Sequence, residues 1–471
     1  MRRPRGHPLD REIVRLAVPA FLALVAEPLF LLADAAIVGH LGTPALAGLG
    51  IAGAILQSAV GLCVFLAYGT TASVARRIGA GDLRGALEQG VDGVWLAGLI
   101  GLVTTALGVP LSAWLVSLFG PAAPAAQEAT TYLRLAFLGV VPLLVMLAAT
   151  GILRGLQDTR TPLAVGITGN VLNVALNLTL VDGLRWGIAG SALGSDLAQI
   201  ASATALLAVV VRGARRQGAA LRPDLAGVRR AARAGVALVV RTLTLRASLL
   251  VMTYAAAGLG TTAVATHQLA STVWTFLAFA LDAIAIAAQA ITGRSLGAGD
   301  TATTRAATTR MVGWGLCAGV VTGAGLALVA PGLGLLFTDD AAVRHLLTSV
   351  LLTAAVFQPV AGVVFVLDGV LIGAGDGRYL AWAGIVVLAV FAPAAWLTLH
   401  LAGPVAGPVA GQGRPALVWL WAVFGLVFMG SRAVVLLARA RGTRWMVTGL
   451  RSPGQPAQGA LREPGPRRAA P

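Results

Sequence analysis

The sequence has no lysine, two cysteines and few charged residues of any kind. All 35 basic residues are arginine, and charged residues make up only 11% of the 471-residue chain, whereas hydrophobic residues make up 57%. The mean hydropathy is +0.83. This composition lies outside the range of soluble globular proteins, so the chain requires a lipid bilayer as its solvent.

The few cysteines and several missing motifs exclude some kinds of chemistry. Cys63 and Cys317 fall inside apolar segments, where buried free thiols are expected rather than a disulfide or a metal site. No Walker A loop, metalloprotease helix or nucleophile elbow is present. We therefore expect no metal, no cofactor and no ATP-driven pumping by this chain alone. A membrane-embedded enzyme would need a cluster of catalytic groups that the sequence does not offer.

Long apolar segments divide the chain into twelve candidate transmembrane helices. One helix needs about 20 apolar residues to cross a bilayer core. An all-α membrane protein is predicted rather than a barrel, whose strands would be short and alternating. The predicted helices cover residues 13–38, 46–75, 90–118, 131–153, 162–182, 187–211, 231–257, 263–292, 309–337, 345–372, 379–402 and 415–438.

The arginines lie in alternate loops. They precede the first predicted helix and follow the second, fourth, sixth and twelfth, whereas residues 40–45 and 121–130 contain none. This positive-inside pattern predicts that both termini are cytoplasmic. Since the net charge of +16 comes from these loops and not from one soluble face, we expect no nucleic-acid partner. The predicted protein is a monomer in the plasma (inner) membrane.

Three short motifs recur at one constant spacing in the chain. The first copies are LGTPALA at 41, GAGD at 79 and GLQDTR at 155, and the second copies are LGTTAVA at 259, GAGD at 297 and GAGDGR at 373. The second copy of each motif begins the same number of residues after the first copy, and we call this number of residues the repeat spacing. Each copy therefore carries six helices, and because six is even the copies are parallel repeats that form two lobes. Transporters of this design place their cavity between the lobes.

The repeat spacing also predicts the division of the chain. The tail is rich in Pro, Gly and Arg from Ser452 onward, which is typical of disorder. The predicted parts are a cytoplasmic N-terminal tail (1–12), the N lobe (13–211), a basic linker (212–230), the C lobe (231–440) and a disordered tail (441–471).

The first helix carries two acids at membrane depth, where each ionisable group costs at least about 2.5 to 3.5 kcal/mol and so needs a partner or a task. Glu27 and Asp34 are two turns apart and lie on one face. We predict proton coupling by Asp34 and, less strongly, by Glu27. The alternative for Asp34 is that it only accepts hydrogen bonds from neighbouring helices. Pro19 and Pro28 interrupt the same helix and allow it to bend.

A polar stripe marks the fifth helix. Asn170, Asn173 and Asn177 share one face, because their spacing is i, i+3 and i+7. This stripe either hydrogen-bonds the face that bears Asp34 or holds helices together.

The C lobe carries charges of both signs inside the membrane. Arg241 and Arg246 fall in the seventh helix, Asp282 in the eighth and Asp368 in the tenth. Pairing would make their burial tolerable, and the alternative to an ion pair is a coupling or substrate role. The acids do not follow the repeat, which favours specialised roles. At the repeat spacing, Asp34, Asp282 and Asp368 correspond to Met252, Val64 and Thr150.

Four motifs resemble those of one transporter family. PLFLLADAAIVGHL at 28–41 resembles the first-helix signature of DinF-type multidrug and toxin extrusion (MATE) exporters, and the likeness extends from about residue 10 to 440. GNVLNVALN at 169–177, FALD at 279–282 and LDGVLIGA at 367–374 resemble motifs of the fifth, eighth and tenth helices. The resemblance implies twelve helices in two lobes and efflux of lipophilic, often cationic compounds in exchange for H⁺ or Na⁺.

The resemblance also implies roles for single residues. Asp34 matches the N-lobe protonation carboxylate, Pro19 the proline at which the first helix bends, and Asp368 a C-lobe acid of cation coupling. Asn177 departs from the Asp of many members, and Arg241 stands in a helix where sodium-coupled members have Glu. Protons are therefore favoured over Na⁺. A lipid or lipid-linked precursor flippase is the alternative, which a cavity ringed by arginines would favour, and a passive channel would show no counter-transport.

Overall fold

The structure is a computed structural model that describes residues 8–402 and 413–450, without the side chains of Glu27, Ala402 and residues 413–415. The described residues form fifteen α-helices and no strand. Two π-helical turns, Leu178–Gly183 and Phe424–Met429, follow α7 and α14. The helices are α1 (Pro8–Gly39), α2 (Thr43–Leu62), α3 (Phe65–Gly79), α4 (Leu83–Ser117), α5 (Ala123–Ala136), α6 (Val140–Gly155), α7 (Arg160–Asn177), α8 (Gly187–Arg216), α9 (Leu225–Gly258), α10 (Thr261–Gly297), α11 (Thr301–Leu333), α12 (Ala341–Gly373), α13 (Gly377–Ala402), α14 (Gly413–Val423) and α15 (Gly430–Arg441).

These helices make twelve candidate membrane spans. Eleven are long and apolar enough to cross a bilayer, with α2 and α3 forming one span and α14 and α15 forming another. The twelfth is the pair α5 and α6, which is bent by 52°. The prediction of an all-α protein of twelve transmembrane helices is confirmed.

The helices extend beyond the predicted apolar segments, because capping residues decide where a helix begins. Asp82 accepts a hydrogen bond of 2.8 Å from the Gly85 N–H at the start of α4, and Asp300 accepts one of 2.8 Å from the Thr303 N–H at the start of α11. Such side-chain caps satisfy backbone donors that have no partner inside the helix. Hydropathy marks only the part of each helix that lies in the bilayer core.

The internal repeat is visible in the backbone. Gly42 and Gly260 have φ angles of +112° and +107°, and Gly81 and Gly299 have φ angles of +77° and +78°. The members of each pair are related by the repeat spacing, and all four occupy the left-handed region, which favours glycine. The predicted two repeats therefore share their turns as well as their helices.

The lobes meet where α3 and α10 end, which we call the arginine-rich end. A Cβ atom on Gly79 would lie 1.9 Å from the carbonyl oxygen of Arg294, and one on Gly297 would lie 1.9 Å from that of Arg76. The two contacts are equivalent under the repeat, and they require glycine because a carbonyl oxygen cannot move aside cheaply. Arg294 also donates to Gln157 Oε1 at 2.7 Å across the lobes.

The beginning of the predicted disordered tail is ordered. Trp445 is 1% exposed, and its indole N–H donates to the Gly442 carbonyl at 3.0 Å. The Val447 carbonyl accepts a hydrogen bond from Arg76 of the N lobe, and the Gly449 N–H donates to the Leu296 carbonyl of the C lobe at 3.0 Å. These bonds and the buried indole order residues 442–450, so the predicted boundary at 441 is wrong. Residues 451–471 lie outside the described residues.

The linker between the lobes is shorter than the predicted 212–230. Helix α8 continues to Arg216 and α9 begins at Leu225, which leaves 217–224 as the connection. Asp224 caps α9, and its own N–H donates to Asp92 of α4 at 2.9 Å. Helix capping again extends the helices into a segment whose charge suggested a loop.

Candidate functional site

Asp34 lies at the centre of a polar cluster in the N lobe. Its side chain is only 4% exposed, although it stands on a helix with an apolar sequence. Asn177 of α7 donates its amide N–H to Asp34 Oδ1 at 2.8 Å, and Ser191 of α8 donates its hydroxyl to the same oxygen at 2.6 Å. Three helices therefore converge on one carboxylate.

A second layer of polar side chains surrounds this contact. Asn177 also donates to Asn173 Oδ1 at 3.2 Å, and Asn173 donates to Ser195 Oγ at 2.9 Å. The Tyr132 hydroxyl of α5 interacts with both Asp34 and Ser195. The network holds the carboxylate with neutral groups only, and within the described residues it leaves Asn177 Oδ1 as a buried oxygen without a hydrogen-bond partner.

The asparagine stripe faces α1, and its three members make different contacts. Asn177 contacts Asp34 directly and Asn173 supports Asn177. Asn170 instead donates to the carbonyl of Ala26 on α1 at 3.1 Å, which joins the two helices. Both interpretations of the stripe therefore apply, each to different members.

Helix α1 runs without interruption through Pro19 and Pro28. The hinge at Pro19 stays a prediction, since the described arrangement has a single helix from Pro8 to Gly39. The side chain of Glu27 lies outside the described residues, so its part in proton coupling also stays a prediction.

The C-lobe acid Asp368 is held by two arginines. Arg241 donates to Asp368 through Nε at 3.1 Å and through Nη2, and the two side chains are 12% and 11% exposed. Arg432 of α15 places Nη2 3.7 Å from the same carboxylate and stacks over the Phe428 ring at 5.7 Å. The structure thus brings Arg241 and Asp368 together as a buried ion pair.

The other two predicted C-lobe residues differ in their relation to this pair: Asp282 shares a cleft with it, and Arg246 lies apart from it. Asp282 of α10 lines a small cleft between the lobes with Tyr68 of α3, Arg241 and Asp368. Arg246 turns toward the N lobe, where a Cβ atom on Gly61 of α2 would lie 1.9 Å from its Nη2. Arg246 is therefore a residue of the lobe interface.

Several residues of these clusters were missed by sequence reasoning. Ser191 and Ser195 are four residues apart on α8, so helical spacing could have found them as one polar face. Tyr132 and Arg432 carry no such signal, because only tertiary packing brings them to Asp34 and Asp368. Asp196, which follows Ser195, is also buried.

The comparisons with known proteins agree with this architecture. The sequence profile of the MatE family matches residues 19–179 and 237–397, and the second match begins and ends one repeat spacing after the first. Protein DETOXIFICATION 44, chloroplastic, of Arabidopsis thaliana is 31% identical over 404 residues, which cover 80% of this chain and 75% of that protein. DNA damage-inducible protein F (DinF) of Escherichia coli K12 is 29% identical over 296 residues, 62% of this chain and 64% of that protein.

A solved structure supports the fold. It is described as the outward-facing conformation of a multidrug resistance MATE family transporter of the MOP superfamily, and it is 23% identical to this chain. The TM-score is 0.81, with 92% of this chain and 95% of that chain covered. Because the profile matches both lobes and the expected resemblance is confirmed, this chain belongs to the MATE family, which is made up of multi-pass membrane transporters.

Proposed function

We propose that the protein is not an enzyme but a proton-driven exporter of lipophilic, often cationic compounds. The observation that carries the proposal is the burial of Asp34 at 4% exposure among neutral hydrogen-bond donors. A carboxyl in such a place is either neutral or an expensive buried charge, so moving a proton on or off it changes the energy of the surrounding helices. No cofactor or metal is needed for this step.

Protonation of Asp34 changes the hydrogen bonds that hold α1 against α7 and α8. Asn177 and Ser191 both point a donor at Oδ1, which stabilises the ionised carboxylate. When Asp34 takes up a proton, these donors lose their charged acceptor and the contact between α1, α7 and α8 weakens. We propose that α1 then bends at Pro19 and closes the N-lobe half of the cavity, which expels the substrate.

The lobe contacts support alternating access between two arrangements. In the described arrangement, Gly79 and Gly297 pack against opposing carbonyls at the arginine-rich end, where Arg294 donates to Gln157. Under the proposed topology this end is cytoplasmic, with both termini on that side of the inner membrane. The described arrangement is then closed to the cytoplasm, and a rocking of the lobes would open it. The proposed functional unit is a monomer.

The charges of the C lobe favour protons over Na⁺ as the coupling ion. A sodium site needs several oxygen ligands without a neighbouring cation. The Asp368 carboxylate is already engaged by Arg241 and lies beside Arg432. Two guanidinium groups repel a second cation at this position.

Transport in reconstituted vesicles tests the proposal. An imposed pH gradient should drive uptake of a lipophilic cationic dye into inverted vesicles, and Asp34→Asn should reduce it to the level of protein-free vesicles. Asp92→Asn is the matched control, because Asp92 is a buried N-lobe acid whose carboxylate accepts a backbone hydrogen bond near the linker. Normal uptake by Asp34→Asn, or no uptake of any tested dye by the wild type, would contradict the proposal.

A lipid or lipid-linked precursor flippase is the second candidate. It is favoured by the three arginines on the C-lobe side, Arg241, Arg246 and Arg432, which outnumber the acids Asp282 and Asp368. Guanidinium groups bind phosphate well. The same vesicles distinguish the candidates when they contain a fluorescent phospholipid: accelerated flipping without dye transport would favour the flippase.

A further inference from the structure

Asp196 is a buried acid of the N lobe that the proposed proton site does not use. It lies on α8, next to Ser195 of the Asp34 network, and is 6% exposed. We infer that Asp196 is a second proton-binding carboxyl of this site, so that one transport cycle moves two protons. The inference rests on the proposed function, because it adds a residue to the same proton pathway.

Asp196 has no ionic partner among the described residues. None of the ion pairs within 4.0 Å that these residues form includes Asp196. This contrasts with Asp368, whose charge is compensated by Arg241. A buried carboxyl without a cation avoids the cost of a buried charge by holding a proton.

The helices that pack against α8 bring few titratable groups to Asp196. Tyr132 of α5 interacts electrostatically with Asp196, and it is also hydrogen-bonded to Asp34 of α1. The other charged side chains that the structure describes on the neighbouring elements lie within three turns of a helix end or are exposed. They are Asp10, Arg11, Glu12 and Arg15 of α1, Arg84, Glu88 and the buried Asp92 of α4, Arg154 and Arg160 at the end of α6 and start of α7, Glu128 and the exposed Arg134 of α5, and the exposed Asp182 and Arg185 before α8.

The carboxylate of Asp196 faces the break between α5 and α6. A Cβ atom on Gly139, which precedes α6, would lie 2.1 Å from Asp196 Oδ1 and 2.8 Å from Gln199 Oε1. Two acceptor oxygens therefore face the same glycine, and a proton on Asp196 supplies the donor that an ionised carboxylate lacks. The span bends by 52° at this break, so a change in the charge of Asp196 acts where no continuous helix holds the backbone.

Tyr132 connects Asp196 to Asp34. Its hydroxyl interacts with Asp34 and Ser195, and it lies within the field of Asp196. Ser195 also accepts the hydrogen bond of 2.9 Å from Asn173. The polar network thus reaches Asp34 through hydrogen bonds and Asp196 through the electrostatic interaction with Tyr132, and we expect this coupling to let both acids load and release protons in one conformational step.

Chemical labelling tests whether Asp196 holds a proton. An apolar carbodiimide reacts with protonated buried carboxyls, and mass spectrometry of the digested protein locates the label. In full-length Asp34→Asn protein, in which Asp196 is intact, we expect label on Asp196 that decreases as the pH rises. This measurement needs no substitution at Asp196. An unlabelled Asp196 at every pH at which the protein is folded would overturn the inference.

The proton count tests its role. In vesicles, the dye gradient that balances a known pH gradient gives the number of protons exchanged per dye molecule. We expect this number to fall from two to one in Asp196→Asn and to stay at two in Asp92→Asn, a residue of the same lobe that is also 6% exposed. An unchanged count and pH profile in Asp196→Asn would overturn the inference and leave the proposed function intact. If a pH gradient drives no transport by the wild type, the proposed function fails first.

Discussion

The two lobes share their turns and their helix order, but they hold their central acids in opposite ways. Asp34 of the N lobe contacts amide and hydroxyl groups, all neutral. Asp368 of the C lobe contacts Arg241 and lies near Arg432, both charged. One scaffold therefore carries one acid that is held by neutral groups and one acid whose charge balances its neighbours.

From this difference we expect the two lobes to have different roles in proton-coupled movement. A carboxylate among neutral donors is free to exchange a proton, because no partner loses its counter-charge when the proton arrives. A carboxylate between arginines is fixed, since protonation would leave cations buried without compensation. We therefore expect the N lobe to move with the proton and the C lobe to act as the more rigid half.

The largest effect that separates the lobes is expected from removing the C-lobe acid. Asp368→Leu removes the acid that pairs with Arg241 and lies beside Arg432, which leaves Asp282 as the acid near Arg241, and should lower the free energy of unfolding by about 3 to 5 kcal/mol. Asp34→Leu removes an acceptor of two neutral donors and should have a smaller effect, about 1 to 3 kcal/mol. Thermal unfolding of the purified proteins in detergent measures both. Equal losses in the free energy of unfolding would contradict the predicted difference between Asp368 and Asp34.

Neutralising the whole C-lobe cluster sharpens the same comparison. The triple variant Arg241→Met, Arg432→Met and Asp368→Leu should recover most of the stability lost in Asp368→Leu, because apolar side chains of similar volume often replace buried ions without loss. Vesicle transport by this variant then shows whether the C-lobe charges serve only stability. Retained pH-driven transport would exclude Asp368 from proton coupling, and lost transport in a stable variant would give this group of three charged residues a role in coupling.

Gly79 and Gly297, which are related by the repeat spacing, provide a test with a smaller expected effect on stability. Gly79→Ala and Gly297→Ala should each cost about 1 to 3 kcal/mol, because the added methyl group meets a carbonyl oxygen of the other lobe. Both should open the arginine-rich end, which accessibility of an introduced cysteine to a water-soluble reagent would detect. Gly50→Ala and Gly313→Ala are controls, since nothing lies within 4 Å of their Cβ positions. Different effects of the two substitutions would show that the two contacts between the lobes are not equivalent.

Some of these contacts could be predicted from the sequence, and others could not. The contact between Asn177 and Asp34 was predictable, because helical spacing puts the asparagines on one face and a buried acid needs donors. The pair of Arg241 and Asp368 followed from the cost of burying each charge alone. By contrast, Tyr132 and Arg432 reach their acids only through tertiary packing, which no local spacing encodes.

Composition was misleading where long-range contacts order the chain. Residues 442–450 look like the start of a flexible tail, yet Trp445 is buried and Val447 accepts a hydrogen bond from Arg76. Similarly, the charge of 212–230 suggested a linker, whereas Asp224 caps a helix there. In both places the deciding interactions join residues that are distant in sequence or depend on cap geometry.

The smallest expected difference between the lobes concerns two equivalent helix caps outside the membrane spans. Asp82 and Asp300 are related by the repeat spacing and cap α4 and α11, but only Asp82 also pairs with an arginine, Arg77, at 2.7 Å. The equivalent of Arg77 in the C lobe is Ser295. Asp82→Ala should therefore lower the unfolding temperature more than Asp300→Ala, with a loss of at most about 1 kcal/mol because the pair is partly exposed.

The pH dependence of this difference identifies its cause. The Gly85 N–H and then the Arg77 guanidinium hold the pKa of Asp82 below its usual range. A lowered pKa in the folded state stabilises the protein above the unfolded value of about 3.9, and this stability is lost as the pH falls through the folded value. The gap between wild type and Asp82→Ala should thus be full at neutral pH and shrink in acid, and added salt should reduce only the part due to Arg77. A gap that shrinks in acid but ignores salt would mean that the hydrogen bond from Gly85 alone sets it, and that the lobes are alike at this turn.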